Sequence, residues 1–522
     1  MINEPVLEID EIQGNIIPGF RMPFQCLIAC RIQDESLLKD FLSYLLPKVT
    51  TMREALEYQA QRIRRAKKTG IFGIQSFSLP DSQNLFWVNI GFGNKLLKKF
   101  NADVESIDPA YKRGLAAGSF SLGDPKDSAD EGNKNNWVVG KNGREADLFL
   151  ITASDKKEIL EENVEELKNA AARFQIQILY SEIGERLEGD IEHFGFNDGA
   201  SQPEARGYID ENQTLLTKRL IVSGNEGPDS AEFSAPGKLL LWTGQFVFGY
   251  PKQSPSHFRN PIEPSEIEKS EFLKNGSFLV FRRLKQKVRE FYDETKILYD
   301  ELINAGNFED ITYDEFLARL VGRYKDGTPV VFDGQNISNS YISNFNFKSA
   351  TGDFILADAT FVPSVEADPS GLKCPMFAHI RKVNPRDVAT DQGAETNTAT
   401  FRVLRRGIPF GKPYNHENPD DPVNSENRGL FFMSYQTSIL NQFERLVTRW
   451  MNKDSRPEAR TGHDILVGQN NEEGENNVRW CMFTNAAGHG KRLETTKPFV
   501  IPTGGGYFFC PSLKTLKSII NT

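Results

Sequence analysis

The sequence predicts an α+β protein made of two related ferredoxin-like domains with antiparallel sheets. Three observations predict it. The first 182 residues alternate strands and helices in the order of a split β-α-β unit, the same rhythm returns after residue 276, and 522 residues exceed what one ordinary core can bury. Residues 24–32 alternate and are rich in strand formers, and residues 35–46 and 52–68 read as helices. Residues 85–92 give a strand, 94–100 a short helix, 146–153 a strand, 156–173 a helix and 175–182 a strand. The polar stretch 119–144, crowded with Gly, Asp, Asn and Lys, reads as a long exposed loop.

In the second half, 276–284 reads as a strand, 285–305 and 313–322 as helices, 429–435 as a strand, 438–452 as a helix and 504–510 as the last strand. The divide falls between about Asp210 and Ala235, which gives domains of residues 1–220 and 221–522. Two irregular inserts, 326–373 and 387–400, interrupt the second domain. Inserts of that length usually build a site or fold over one.

The formal charge of −9, from 62 basic and 71 acidic residues, excludes the basic footprint of a nucleic-acid partner. The first ten residues have neither the cationic nor the apolar part of a secretory signal, and no apolar run reaches the length of a membrane span. Cys26, Cys30, Cys374, Cys481 and Cys510 contain no CxxC pair, which fits reduced, buried thiols in a cytoplasmic protein. Six histidines without an HExxH run make a zinc hydrolase a poor fit.

The chemistry is expected in the block Cys374-Pro375-Met376-Phe377-Ala378-His379-Ile380-Arg381-Lys382-Val383-Asn384-Pro385-Arg386. A histidine in an apolar setting is either a hydrogen-bonded structural group or a nitrogen ligand, and the axial ligand of a haem iron is one such role. The cations that follow could meet the carboxylates of a haem. Two further blocks carry chemistry-bearing residues. Residues 193–203 form a Gly- and Asx-dense turn around Asp198, and residues 401–411 hold Arg405 and Arg406 before a Gly-Ile-Pro bend. Taken alone, Asn197-Asp198-Gly199 is also an ordinary turn signal and the arginines could lie on a surface.

Together these blocks resemble the dye-decolorising peroxidases, a family of haem enzymes. The markers are the G-x-x-D-G segment from Gly195 to Gly199, the run His379-Ile380-Arg381-Lys382 with Asn384-Pro385-Arg386, and the arginines before Gly407-Ile408-Pro409-Phe410-Gly411. Further matches at residues 10–20, 321–329, 429–432, 442–444 and 504–509 extend the resemblance over nearly the whole chain. It implies two ferredoxin-like domains of the dimeric α+β barrel type, with one haem b in the C-terminal domain. It also implies a peroxidase that reduces hydrogen peroxide and oxidises dyes and other aromatic donors, with a homo-oligomer possible.

By the same resemblance His379 is the proximal iron ligand, Asp198 the distal acid and base, and Arg405 the cation that stabilises the peroxide charge. Leu430 and Phe432, at alternate positions of one strand, would close the distal pocket, although core packing accounts for them equally well. Arg406 could exchange roles with Arg405. Asp387 and Glu444 are the candidates for the second hydrogen bond of His379. A haem carrier with little turnover is the alternative function, and a hydrolase pairing Asp198 with His379 is a third.

Overall fold

The computed structural model describes residues 4–70, 84–100, 107–217, 237–254, 269–332, 343–355, 361–459, 462–471 and 475–521. Parts of the expected 326–373 insert lie outside the described residues. The N-terminal half contributes strands β1 (Phe24–Ile32), β2 (Phe86–Gly93), β3 (Leu148–Ser154) and β4 (Ile176–Glu185). A parallel pair, β5 (Glu204–Arg206) and β6 (Leu240–Trp242), joins the halves. The C-terminal half supplies β7 (Ser277–Gln286), the small hairpin β8 (Phe354–Ile355) and β9 (Phe361–Val362), then β10 (Leu404–Arg405), β11 (Ile408–Phe410) and β12 (Gly429–Gln436). A hairpin of β13 (Arg479–Thr484) and β14 (Gly490–Thr495) precedes the final strand β15 (Val500–Cys510).

Four antiparallel strands from each half close into one barrel among the described residues, in the cyclic order β1-β3-β2-β15-β7-β12-β11-β4. The two seams are short. Between β2 and β15 two residue pairs are in register, Phe508 with Gly93 and Phe509 with Phe92, and β11 meets β4 through Phe410 and Gly184. The strand period of two sorts side chains to the two faces. Leu27 and Ala29 of β1 join Phe149, Phe281, Phe431 and Phe508 in one buried cluster. Their neighbours Cys26, Ile28 and Cys30 pack instead with Leu38, Phe41 and Leu160 of the covering helices. Phe149 stacks on Phe508 at 4.6 Å and on Phe281 at 4.9 Å, which ties strands of both halves together.

The covering helices form where apolar positions recur and caps are present. Glu35–Leu45 is capped by Asp34, whose side chain accepts from the Ser36 N–H, and Met52–Thr69 starts with a reciprocal Thr51/Glu54 capping box. Lys157–Arg173 buries Leu160, Val164 and Leu167 on one stripe. In the second half Val288–Ile303 and Tyr313–Val321 are α-helical as the periodicity predicts. The helix expected over 438–452 is wound as π-helix, Ile439–Glu444 followed by Leu446–Met451. Wide turns of this kind often stand at functional sites.

The stretch 119–144 is irregular and exposed over much of its length, as expected, notably at residues 126–131 and 141–144, but it also carries buried anchors. Asp124 is buried and accepts from Arg282 Nη2 with both carboxylate oxygens, at 2.9 and 3.0 Å. Trp137 is buried under the same guanidinium, and Val139 bridges to Gly504 of the last strand. Polar composition here serves a buried ion pair. Asp124→Ala would strand the Arg282 charge and is expected to cost about 3–5 kcal/mol, measured as the shift in a urea midpoint at constant slope.

The five cysteines are buried and carry no disulfide. Burial pushes the Cys30 and Cys374 thiols up to about 12, so they are inert at neutral pH. Among the described residues no helix is long and apolar enough to cross a membrane.

Candidate functional site

On the outer face of β7 and β12 a cavity of about 360 Å³ opens between the barrel wall and the C-terminal inserts. Asp198, Arg405, His379, Leu430 and Phe432 all line it. Five residues chosen from segments as far apart as 198 and 432 therefore share one concave surface.

Asp198 arrives on a small hairpin. Ile191 pairs with Asn197, and the Asp198 N–H donates to Asp190 O at 3.2 Å. Gly195 and Gly199 stand at φ of 91° and 81°, a left-handed backbone that favours glycine, and this is the physical reason for the G-x-x-D-G spacing. A Cβ on Gly199 would meet no described protein atom within 4 Å, so it is the left-handed backbone rather than crowding by the protein that favours glycine there. Arg405 Nη1 donates to Asp198 Oδ1 at 3.0 Å and Arg405 Nη2 to Ser201 O at 3.4 Å. An ion pair at the edge of the cavity thus joins the turn to the end of β10.

The adjacent arginine points elsewhere. Arg406 Nε donates to Asn15 O at 3.1 Å and its Nη2 to Ile16 O at 2.8 Å, which anchors the N-terminal segment to the barrel. Successive residues of a strand face opposite sides, and that alternation assigns Arg405 to the cavity. Gly407 then keeps the approach to Asp198 open, since a Cβ there would lie 3.3 Å from Asp198 Oδ2.

His379 begins the short helix His379–Val383. Its Nδ1 is 2.7 Å from Asp464 Oδ2, with the Asp464 side chain fully buried and that of His379 29 % exposed. The carboxylate holds the proton on Nδ1 and leaves Nε2 for a partner in the cavity. Asp464 replaces both candidates proposed from sequence. Asp387 instead accepts from the backbone N–H groups of Phe347, Lys348 and Ser349, and Glu444 accepts from Tyr507 Oη and pairs with Arg113. Asp464 is 85 residues downstream of His379, just before a turn with no chemical signature.

The cations that follow His379 also divide. Arg381 is fully buried, forks onto Glu458 at 3.0 and 3.2 Å and donates to Asp368 O. Lys382 Nζ donates to the carbonyls of Lys453, Arg456 and Gly462, each at 2.6 Å. Neither lines the cavity, and both brace the segment that leads into Asp464. Arg386 does line it, together with Arg323 and Arg402. His193 faces away from the cavity's chemistry, with its Nε2 on Phe410 O at 2.8 Å and burial pushing it down to about 4. The hydrolase alternative would join Asp198 to His379, yet each is paired to another residue.

Leu430 and Phe432 stand in register with Leu284 and Arg282 of β7, on the face opposite the barrel core that Phe431 and Met433 enter. Phe432 packs on Phe443 of the first π-helix at 5.8 Å, so the wide helix forms part of the apolar wall.

Residues 11–186 match the family model of the DyP dimeric alpha+beta barrel domain. The chain is 27 % identical to the dye-decolorizing peroxidase msp1 of Mycetinis scorodonius over 99 % of this chain and 88 % of that protein. It is 28 % identical to the multifunctional dye peroxidase DyP2 of Amycolatopsis sp. over 99 % and 97 % of the two chains. The solved structure of an ancestral D-type dye decolorizing peroxidase superposes with a TM-score of 0.73 at 26 % identity, covering 99 % of each chain. Residues 11–186 thus carry the DyP barrel domain, and similarity along nearly the whole chain to dye-decolorizing peroxidases supports a peroxidase.

Proposed function

We propose that the cavity holds a single haem b, with His379 Nε2 as the iron ligand, and that Asp198 and Arg405 are the residues that cleave hydrogen peroxide there. The convergence of two hydrogen-bonded couples, Asp198 with Arg405 and His379 with Asp464, on one mostly apolar cavity carries this reading. The lining suits an anionic, flat, apolar ligand. Burial pushes Arg323 and Arg402 down to about 10, with Arg405 acting the same way, and Arg386 is pushed well down by burial and by the charges of Arg323 and Arg402. Concentrated positive charge in an apolar wall is relieved by a ligand with two carboxylates. Arg323, Arg386 and Arg402 would hold those carboxylates, and Leu430 and Phe432 would pack against the ring.

A bound haem supplies the iron at which peroxide is reduced and the oxidising capacity then spent on dyes and other aromatic donors. Asp198 takes the proton from the near oxygen of hydrogen peroxide and returns it to the far one, so that the O–O bond breaks and water leaves. Arg405, already fixed by its bond to Asp198, presents a guanidinium to the negative charge that this transfer develops. A carrier has no use for such a pair, which favours the enzyme over the carrier.

Asp464 fixes the tautomer and basicity of His379. Asp464→Asn is expected to weaken haem retention or turnover by about 10–100-fold, read from haem titration and from the iron–histidine stretching band. Titrating haem into the purified protein tests the proposal. Saturation at one haem per chain with a strong Soret band is expected, and no saturable binding would overturn it.

A further inference from the structure

A second carboxyl lines the cavity beside Asp198, and none of the steps above uses it. Glu192 begins the hairpin that carries Asp198, and its N–H donates to Phe196 O at 2.9 Å. The side chain folds back into that hairpin. Oε1 accepts from the Phe196 N–H and Oε2 from the Phe194 N–H, each at 2.9 Å. Oε2 also accepts from Gln286 Nε2 on β7, so this one carboxyl staples the hairpin to the barrel wall.

Gln286 has a further property. Its Oε1 is buried without a partner. An ionised Glu192 accepts from all three donors, whereas a protonated one carries an O–H that requires an acceptor. Turning the Gln286 amide over supplies that acceptor, so the pair accommodates either protonation state with its hydrogen bond made. Burial, with the Asp198 charge adding to it, pushes Glu192 up to about 7.

The other groups facing this hairpin titrate elsewhere or are paired. Tyr292 on the helix Val288–Ile303 donates to Phe194 O and is pushed up by burial. His193 and His416 are both pushed down, and Arg428 adds to both shifts. Lys325, whose carbonyl accepts from the Asn197 N–H, pairs with Asp314 at 3.2 Å.

We propose that Glu192, braced by Gln286, is a positioning residue for Asp198, holding the hairpin that carries it and adding negative charge to the cavity only when ionised. This rests on the reading of Asp198 as the proton carrier. While Glu192 is neutral, the Asp198–Arg405 pair faces peroxide with balanced charge. Once Glu192 ionises, its charge opposes the negative charge that deprotonating peroxide builds nearby. The sign follows from the raised value: Glu192 is neutral in acid and ionises as the pH rises through about 7.

The test pairs infrared difference spectra of the full chain, titrated from acid to alkaline pH, with peroxide cleavage by the haem-loaded protein over the same range. A protonated-carboxyl C=O band is expected to vanish with a midpoint near neutrality in the wild type and to be missing in Glu192→Gln. Cleavage is expected to fall about tenfold across that transition and to lose the inflection in Glu192→Gln. Gln286→Leu removes a donor to the ionised form and moves both midpoints to higher pH. A wild type with no such band, or a cleavage profile that Glu192→Gln leaves unchanged while Asp198→Asn abolishes cleavage, would overturn the proposal. Full cleavage in Asp198→Asn would instead remove the reading on which it rests.

Discussion

Asp198→Asn is expected to slow peroxide cleavage by about 10²–10⁴-fold while haem uptake and the Soret band persist. Asparagine keeps the shape and an oxygen able to accept from Arg405 Nη1, so the hairpin and the ion-pair geometry have no steric reason to move. What is lost is a group that can take a proton and give it back. Stopped-flow mixing with peroxide separates the two contributions, because binding and cleavage change the haem spectrum in different steps. Arg405→Leu makes a useful companion. It removes the cation and leaves Asp198 with the Gly199 N–H as its remaining side-chain partner among the described residues.

The second large effect is expected from His379→Ala, which should abolish peroxidase turnover and lose or shift the Soret band. Removing the ring deletes the proposed iron ligand and leaves Asp464 as a fully buried carboxylate that has lost its histidine partner, although the backbone N–H groups of Leu466 and Val467 still donate to its Oδ1. Those bonds keep the site folded, so a lost haem band with unchanged far-ultraviolet circular dichroism would be assigned to ligation. A variant that retains a wild-type Soret band and turnover would remove His379 from the proposal.

These residues were legible from sequence because each belongs to a compact motif whose spacing has a local cause. The two left-handed glycines around Asp198 and the short helix starting at His379 are properties of a few neighbouring residues. Strand alternation between Arg405 and Arg406 is equally local, but which of them faces the cavity depends on the pairing of β10 with β12. Asp464 was not legible. It lies far from His379 in sequence, and Arg381 and Lys382, cations read as ligand-binding in sequence, instead hold Lys453, Arg456, Glu458 and Gly462. Likewise the alternation of strands and helices predicted two antiparallel halves, whereas their fusion into one barrel rests on seams of one and two residue pairs. The buried anchors within the otherwise exposed 119–144 stretch were not legible for a similar reason, since Asp124 finds Arg282 158 residues away.

The most direct test of the central claim is the absorption spectrum of the wild-type protein supplied with haem, recorded before and after an equimolar amount of hydrogen peroxide. A strong Soret band that changes within the mixing time, and returns when an aromatic donor is added, is the predicted result. A protein that takes up no haem, or one whose haem band peroxide leaves unchanged, would contradict the account.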